Sequence, residues 1–239
     1  MRINKFISET GFCSRREADK LVEAGRVTIN GSRAELGSQA EPGDDVRIDG
    51  RRIGEHRGHV YIALNKPVGI TSTTEAHVAG NIVDFVGHPE RIFPIGRLDK
   101  DSEGLILLTN DGDIVNRILR AEGRHEKEYI VTVDKPVTPL FVKAMSEGVR
   151  ILGGMTLPCR VTRETERVFR IVLTEGKNRQ IRRMCQALGF RVTRLRRIRI
   201  MNIHLGGLSV GKWRDLTAAE LEELFALLDG RQEQPFPGK

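Results

Sequence analysis

The chain has 239 residues, of which 39% are hydrophobic and 30% are charged, and its formal net charge at pH 7 is +7. This composition fits a soluble globular protein and excludes a largely disordered chain. No apolar run approaches the ~20 residues that cross a bilayer, and the start of the chain lacks the apolar core of a signal peptide, so we expect a cytoplasmic protein without membrane contact. The positive charge favours an acidic partner such as nucleic acid.

The first 50 residues have the pattern of a small independent domain. A helix is expected at about residues 3–9 and a second at 15–24, where Ser14 and Glu17 form a capping box and Gly25 ends the helix. A strand at 27–29 then leads into the Asn30-Gly31 dipeptide, a strong hairpin signal. A further short strand is expected at 46–48.

The remainder of the chain has the pattern of a larger mixed domain. Residues 51–59 are polar and glycine-rich, which is typical of a linker, and residues 229–239 have the composition of a flexible tail. Between them, at 60–228, the expected strands are 60–64, 105–109, 128–133, 168–174 and 191–200, and the expected helices are about 80–86, 112–121, 138–147, 178–188 and 217–228. Because strands and helices do not alternate strictly, the sequence predicts an α+β protein with a mixed or antiparallel sheet.

The cysteines carry no chemistry of their own. Cys13, Cys159 and Cys185 are few, odd in number and widely separated, so neither a disulfide framework nor a zinc site is expected. We therefore expect no metal and no cofactor.

The most informative segment is the charged loop that precedes the strand at 105–109. Asp99 lies at its centre, where a rigid scaffold can position a loop carboxylate. From composition alone a solvated turn is the more common explanation of these residues. The full run, Gly96-Arg97-Leu98-Asp99 followed by Ser102, Gly104-Leu105 and Thr109-Asn110-Asp111-Gly112, resembles the catalytic motif of the RsuA-type pseudouridine synthases.

The resemblance assigns roles to residues in four blocks. It implies that Asp99 is the catalytic carboxylate, that Arg97 fills the space left by a flipped uridine, and that Tyr129 of Lys127-Glu128-Tyr129 stacks on the target base. The block at 175–185 supplies Arg182, which the resemblance pairs with Asp99 in a poorly solvated pocket. The expected catalytic set is Asp99, Arg182 and Tyr129, and the expected uridine pocket is Arg97, Leu173 and Lys127.

The N-terminal unit resembles an S4 RNA-binding domain, on the residues at 11–21, Gly25-Arg26-Val27, Asn30-Gly31 and Gly43-Asp44. Basic residues in both domains are expected to contact RNA, together with two polar neighbours. The expected contacts are Arg2, Lys5, Ser14, Arg15, Arg16, Lys20, Arg26, Lys66, Lys177, Asn178, Arg179, Arg183, Arg194 and Arg196. The stretch from Arg191 to Arg199 is expected to present a phosphate-binding strand.

The resemblance implies a monomeric enzyme that converts uridine to pseudouridine in ribosomal RNA, with 23S rRNA near the peptidyl-transferase centre as the expected target and a tRNA uridine left open. Two alternatives stay open at this point. A non-catalytic RNA-binding or ribosome-assembly protein would keep the S4 unit, and a metal-dependent phosphodiesterase would use the acidic spacing of Asp99, Asp101, Asp111 and Asp113.

Overall fold

The computed structural model describes residues 1–54, 58–120 and 123–230. Part of the expected linker, the last residue of the helix expected at 112–121 and nearly all of the expected tail lie outside these ranges. The contacts divide the chain into two compact units, one of residues 1–60 with 88–92 and 110–112, and one of the remaining residues. None of the described helices is long and apolar enough to cross a membrane.

The first unit contains two helices and a small sheet. Its elements are α1 (Ile3–Glu9), α2 (Arg15–Glu23), β1 (Val27–Ile29), β2 (Ser32–Arg33), β3 (Val46–Ile48) and β4 (Arg51–Arg52). The sheet order is β2-β1-β3-β4, with antiparallel pairing throughout. The predicted capping box is confirmed, since the Ser14 hydroxyl accepts from the Glu17 N–H and the Glu17 carboxylate accepts from the Ser14 N–H.

The core of this unit is small and aliphatic, as its length dictates. The buried residues are Ile3, Ile7, Ala18, Val22, Val27, Ala34, Ala40, Val46 and Ile48. The hairpin predicted at Asn30-Gly31 is present, with φ of 50° and 83° at the two residues. Positive φ at both central positions matches the right-handed twist of the flanking strands.

The second unit is built on a mixed sheet. Its strands are β5 (Tyr61–Lys66), β6 (Phe93–Pro94), β7 (Glu103–Thr109), β8 (Lys127–Val133), β9 (Arg150–Ile151), β10 (Gly154–Met155), β11 (Arg160–Arg163), β12 (Val168–Leu173), β13 (Val192–Ile200), β14 (Ile203–His204) and β15 (Trp213–Asp215). The main order is β11-β12-β8-β13-β7-β5-β15; β6 and β14 pair with β7 and β13, and β9 pairs with β10 as a separate hairpin. Only the β7–β13 pair of this described sheet is parallel, which confirms the predicted mixed sheet.

The helices of this unit are α3 (Ile82–Val86), α4 (Gly112–Leu119), α5 (Pro139–Glu147), α6 (Gln180–Ala187) and α7 (Ala218–Leu228). All five were expected, and their ends and those of the five expected strands agree within two residues. The strands that sequence reasoning missed, such as β11 and β15, are short and mostly exposed, so they lack a hydrophobic alternation. One main core cluster contains Leu105 and Leu107 of β7, Ile114 and Ile118 of α4, and Ile200 of β13.

A close approach of two strands fixes the centre of the sheet. Gly104 on β7 lies opposite Arg197 on β13, and a Cβ at Gly104 would clash with the Arg197 backbone. The φ of Gly104 is +105°, a conformation that L side chains rarely adopt. Glycine at this position therefore allows β13 to lie between β7 and β8.

Candidate active site

The loop that carries Asp99 is held by hydrogen bonds from both sides. The Ser72 hydroxyl donates to the Leu98 carbonyl (2.8 Å) and accepts from the Leu98 N–H (3.3 Å). The Gly69 N–H donates to the Lys100 carbonyl (2.8 Å), and the Ser102 N–H donates to the Asp99 carbonyl (3.0 Å). Ser72 and Leu98 are buried, so the backbone that positions Asp99 is well fixed.

Two arginines from one segment contact this loop. Arg179 Nη1 lies 3.5 Å from Asp99 Oδ2, and its guanidinium forms a bidentate pair with Asp101 at 3.0 Å and 3.0 Å. Arg182 Nη2 donates to the Asp101 carbonyl (2.9 Å) and the Ser102 hydroxyl (3.1 Å) and lies 3.4 Å from Asp101 Oδ2. The hydrogen bond from Arg179 lowers the pKa of Asp101 from its ordinary value.

The predicted pairing of Asp99 with Arg182 is thus corrected. Arg182 is occupied by Asp101 and Ser102, whereas Arg179, which has a φ of 49° just before α6, is the arginine within ion-pair distance of Asp99. The expected burial of the carboxylate is also wrong, because 34% of the Asp99 side chain is exposed. Asp99 therefore lies at the mouth of a cleft, where it is accessible to solvent.

Asp99 borders a cleft of about 1210 Å³. The cleft brings together all three expected catalytic residues and all three expected pocket residues, Asp99, Tyr129, Arg182, Arg97, Leu173 and Lys127. Tyr129 on β8 is only 9% exposed, and Leu173 at the end of β12 is buried. These two side chains give the cleft an apolar wall, while the arginines and Asp99 line it with charge.

Two lysines near the cleft have lowered pKa values. Lys127 donates to the His125 carbonyl (3.2 Å), and burial, followed by the charge of Arg197, lowers its pKa to about 8. Burial and then Arg197 lower the pKa of Lys66 to about 8 as well, against smaller opposing effects of Asp101 and Asp99.

The RNA contact expected at Lys66 is wrong. Lys66 is fully buried at the end of β5, between β7 and β15 in the sheet, and its ammonium donates to the carbonyls of Pro67 (2.9 Å) and Ile70 (2.8 Å). The side chain thus fixes the turn after β5.

Comparison with known proteins identifies the family of this chain. A family model described as RNA pseudouridylate synthase matches residues 60–187, and a model of the S4 domain matches residues 1–46. The chain belongs to the RNA pseudouridylate synthase family.

Individual relatives of this synthase support the same family assignment. It is 58% identical over 238 residues to the dual-specificity RNA pseudouridine synthase RluF of Salmonella typhi, and 56% identical over 239 residues to the protein of the same name from Escherichia coli K12. Each alignment covers 99% of this chain and 82% of the relative. A crystal structure of a pseudouridylate synthase superposes with a TM-score of 0.69 at 31% identity, covering 94% of this chain and 99% of that one. The enzyme class, the S4 domain and the relation to RluF-type enzymes are therefore established, and the synthase acts on RNA.

The other expected RNA contacts differ in how available they are. In the S4 unit, Arg2, Arg15, Arg16 and Lys20 are exposed, Lys5 pairs with Glu9 (3.5 Å), and Ser14 serves the capping box. Arg26 forms a two-point pair with Asp49, at 2.8 Å and 2.5 Å. In the synthase unit, Arg97, Lys177, Asn178 and Arg179 line the cleft, Arg183 donates to Asn178 (2.7 Å), Arg194 donates to Glu103 (2.5 Å), and Arg196 is half-buried.

The strand expected to bind phosphate is only partly available. Register shifts lie between Val192 and Arg194 and between Arg197 and Arg199, so the simple alternation of faces is broken. Arg197 is 4% exposed, and Arg199 is held by Glu126 (2.7 Å) and Glu128 (2.6 Å). Sequence reasoning missed Arg197 as a cleft residue, because bulges of this kind leave no clear sequence signal.

The metal-dependent alternative finds little support in the geometry. Asp101 is occupied by two guanidinium groups. No cluster of three or more acidic, histidine or cysteine side chains that could hold a metal ion occurs in the parts of the chain that the structure describes.

Proposed function

We propose that this synthase isomerises a specific uridine of 23S rRNA near the peptidyl-transferase centre, with a tRNA uridine as a second substrate, and that Asp99 is its catalytic carboxylate. One observation supports a catalytic role for Asp99. It lies on a loop that hydrogen bonds hold in place, at the mouth of the cleft that Tyr129 and Leu173 line. The rRNA target is supported by the likeness to RluF, whose curated description is a dual-specificity RNA pseudouridine synthase.

The reaction requires little beyond one carboxylate and a shielded base. The C1′–N1 bond of uridine breaks, the uracil turns, C1′ bonds to C5, the hydrogen leaves C5, and N1 ends protonated. No electron donor, electron acceptor or second substrate enters this balance. Arg179, with Nη1 3.5 Å from Asp99 Oδ2, holds the carboxylate in position by an ion pair.

The target base must leave its stack to reach Asp99. Flipping costs a few kcal/mol, and stacking on an aromatic ring returns ~1–3 kcal/mol per base. Tyr129 supplies that ring in this proposal, and the exposed Arg97 fills the space that the uridine vacates. Once the nucleotide covers the cleft mouth, water is excluded. Bond formation between C1′ and C5 of the uracil is then favoured over attack of water on C1′.

RNA affinity comes from basic residues of both units in this proposal. Arg15, Arg16 and Lys20 on α2 are exposed, and Lys177 and Arg179 line the cleft. Contacts of this kind release counterions, so binding is expected to weaken steeply with salt. We further propose that the enzyme acts as a monomer in the cytoplasm, where rRNA is available.

The decisive experiment measures tritium release from rRNA that carries 5-tritiated uridine, since the C5 hydrogen is lost when C5 bonds to C1′. The wild-type protein should release tritium, and Asp99→Asn should release none while still binding the RNA in a filter assay. Asp134→Asn, which removes a carboxylate that pairs with Arg191 outside the cleft, is the matched control and should remain active.

Other outcomes separate the alternatives. RNA binding by the wild type with no tritium release on any rRNA would favour the non-catalytic RNA-binding function. RNA cleavage that is lost in EDTA would favour the metal-dependent phosphodiesterase. Full activity of Asp99→Asn would remove Asp99 from the mechanism. Mapping pseudouridines in rRNA and tRNA from cells that lack the gene identifies the target uridines.

A further inference from the structure

Arg197 is a buried cation whose hydrogen bonds are incomplete. It is 4% exposed, its Nε donates to the Leu105 carbonyl (2.6 Å), and its Nη2 has no partner among the described residues. Leaving a buried charged donor unsatisfied is costly, so such a group usually has a use. Arg197 also lines the cleft that contains Asp99.

The surroundings of Arg197 are positive. Its charge acts on both Lys66 and Lys127, so three basic groups lie near this side of the cleft. The charges of Asp99 and Asp101 also act on Lys66, so Lys66 lies close to the loop that carries Asp99. Electron density that moves into the cleft during the reaction would be stabilised here.

The position of Arg197 on the sheet suggests which acceptor it takes. Arg197 on β13 lies directly opposite Tyr129 on β8, and opposite residues of an antiparallel pair project from the same face. A base that stacks on Tyr129 therefore presents its edge to the guanidinium. A phosphate would need several donors or retained water, neither of which suits a side chain that is 96% buried, whereas a uracil carbonyl is a weakly hydrated single acceptor.

We propose that Arg197 forms a uracil-binding subsite, in which its guanidinium donates a hydrogen bond to O2 or O4 of the flipped base. This inference rests on the proposed function. When the C1′–N1 bond breaks, its electron pair passes to the uracil ring and is shared with O2 and O4. The hydrogen bond from Arg197 strengthens as this charge develops and weakens again when C1′ bonds to C5, so Arg197 lowers the barrier as well as holding the base.

The test compares one variant on three substrates. Single-turnover rates at saturating enzyme are measured by tritium release from RNA with 5-tritiated uridine, 2-thiouridine or 4-thiouridine at the target, because sulfur is a poor hydrogen-bond acceptor. Arg197→Met should slow the uridine reaction by about 10- to 100-fold, the loss of one hydrogen bond to a charged donor. On one of the two thio substrates, the same substitution should slow the reaction by less than about threefold, since that hydrogen bond is already missing.

Controls keep the outcome interpretable. Lys143→Met removes an exposed cation on α5, where Lys143 pairs with Glu147 outside the cleft, and should leave all three rates unchanged. If Arg197→Met does not fold, as judged by circular dichroism, Arg197→Lys is compared in the same way, because it retains the charge and loses the guanidinium donors. An equal slowing on all three substrates would overturn the uracil contact. Absence of tritium release by the wild type would instead overturn the proposed function.

Discussion

Asp99 and Arg179 form the ion pair at the cleft mouth, with Oδ2 and Nη1 3.5 Å apart. Arg182 instead donates to the Asp101 carbonyl and the Ser102 hydroxyl. The two arginines differ in burial, since the Arg179 side chain is 42% exposed and that of Arg182 is 14% exposed. Arg179 is thus placed to act on the carboxylate, and Arg182 to hold the loop that presents it.

This division predicts different consequences for two substitutions. Arg179→Ala should reduce the single-turnover rate of tritium release strongly and lower the free energy of unfolding by less than about 1 kcal/mol, as for an exposed ion pair. Arg182→Ala should reduce the rate and also destabilise the protein by about 2 kcal/mol or more, because Asp101 and Ser102 lose a partly buried partner. Urea unfolding and single-turnover kinetics measure both effects. The reverse ranking of stabilities would contradict the assignment.

Gly104→Ala should be strongly destabilising. The added Cβ would clash with the Arg197 backbone, and the φ of +105° disfavours any L side chain, so β7 and β13 would have to separate. A loss of about 3 kcal/mol or more is expected, together with loss of activity. Gly207→Ala is the control, because nothing lies near its added Cβ, and it should change the free energy of unfolding by less than about 1 kcal/mol.

The lowered pKa of Lys127 predicts a pH dependence of stability. Its pKa is about 8 in the folded protein against an ordinary value of 10.5. Below pH 8 both the folded and the unfolded states carry the proton, and the cost of burying the charge is fully present. Between pH 8 and 10.5 the folded state releases its proton first, so the wild type should gain stability relative to Lys127→Met as the pH rises.

Urea unfolding at pH 7.5 and pH 9.5 checks this sign. Lys143, which is exposed on α5, supplies the control, and Lys143→Met should show the same pH dependence as the wild type. A gain of Lys127→Met over the wild type between these two pH values would mean that the Lys127 ammonium is stabilised by the fold.

Removing the two arginines at the start of α2 should affect binding more than chemistry. Arg15→Ala combined with Arg16→Ala should weaken RNA binding and reduce the slope of log affinity against log salt by about 1 to 2, as expected for one or two lost phosphate contacts. The single-turnover rate at saturating enzyme should be little changed. Filter binding across a salt series gives the slope, and a large loss in the chemical step would show that the S4 unit contributes to the cleft.

Much of the fold was accessible from the sequence, because its signals are local. The capping box at Ser14, the Asn30-Gly31 hairpin and the apolar face of α6 each depend on neighbouring residues alone. The motif resemblance also brought together the residues that line the cleft, including Asp99 and Tyr129.

What sequence reasoning missed depends on long-range geometry. Which arginine reaches Asp99 is decided by the left-handed backbone at Arg179, and the burial of Lys66 is decided by strands that pair from distant parts of the chain. The inward direction of Arg197 accompanies irregular strand register. The Ser72 hydrogen bonds to Leu98 join two loops that no local pattern connects.

The parallel pairing of β7 with β13 has a consequence for synthesis of the protein. β13 inserts between β7 and β8, although it leaves the ribosome long after both. A nascent chain that stops before residue 197 has the Asp99 loop and Tyr129 but lacks the strand that brings their segments of the sheet together. The sheet that joins the segments carrying Asp99 and Tyr129 can therefore be completed only late in translation.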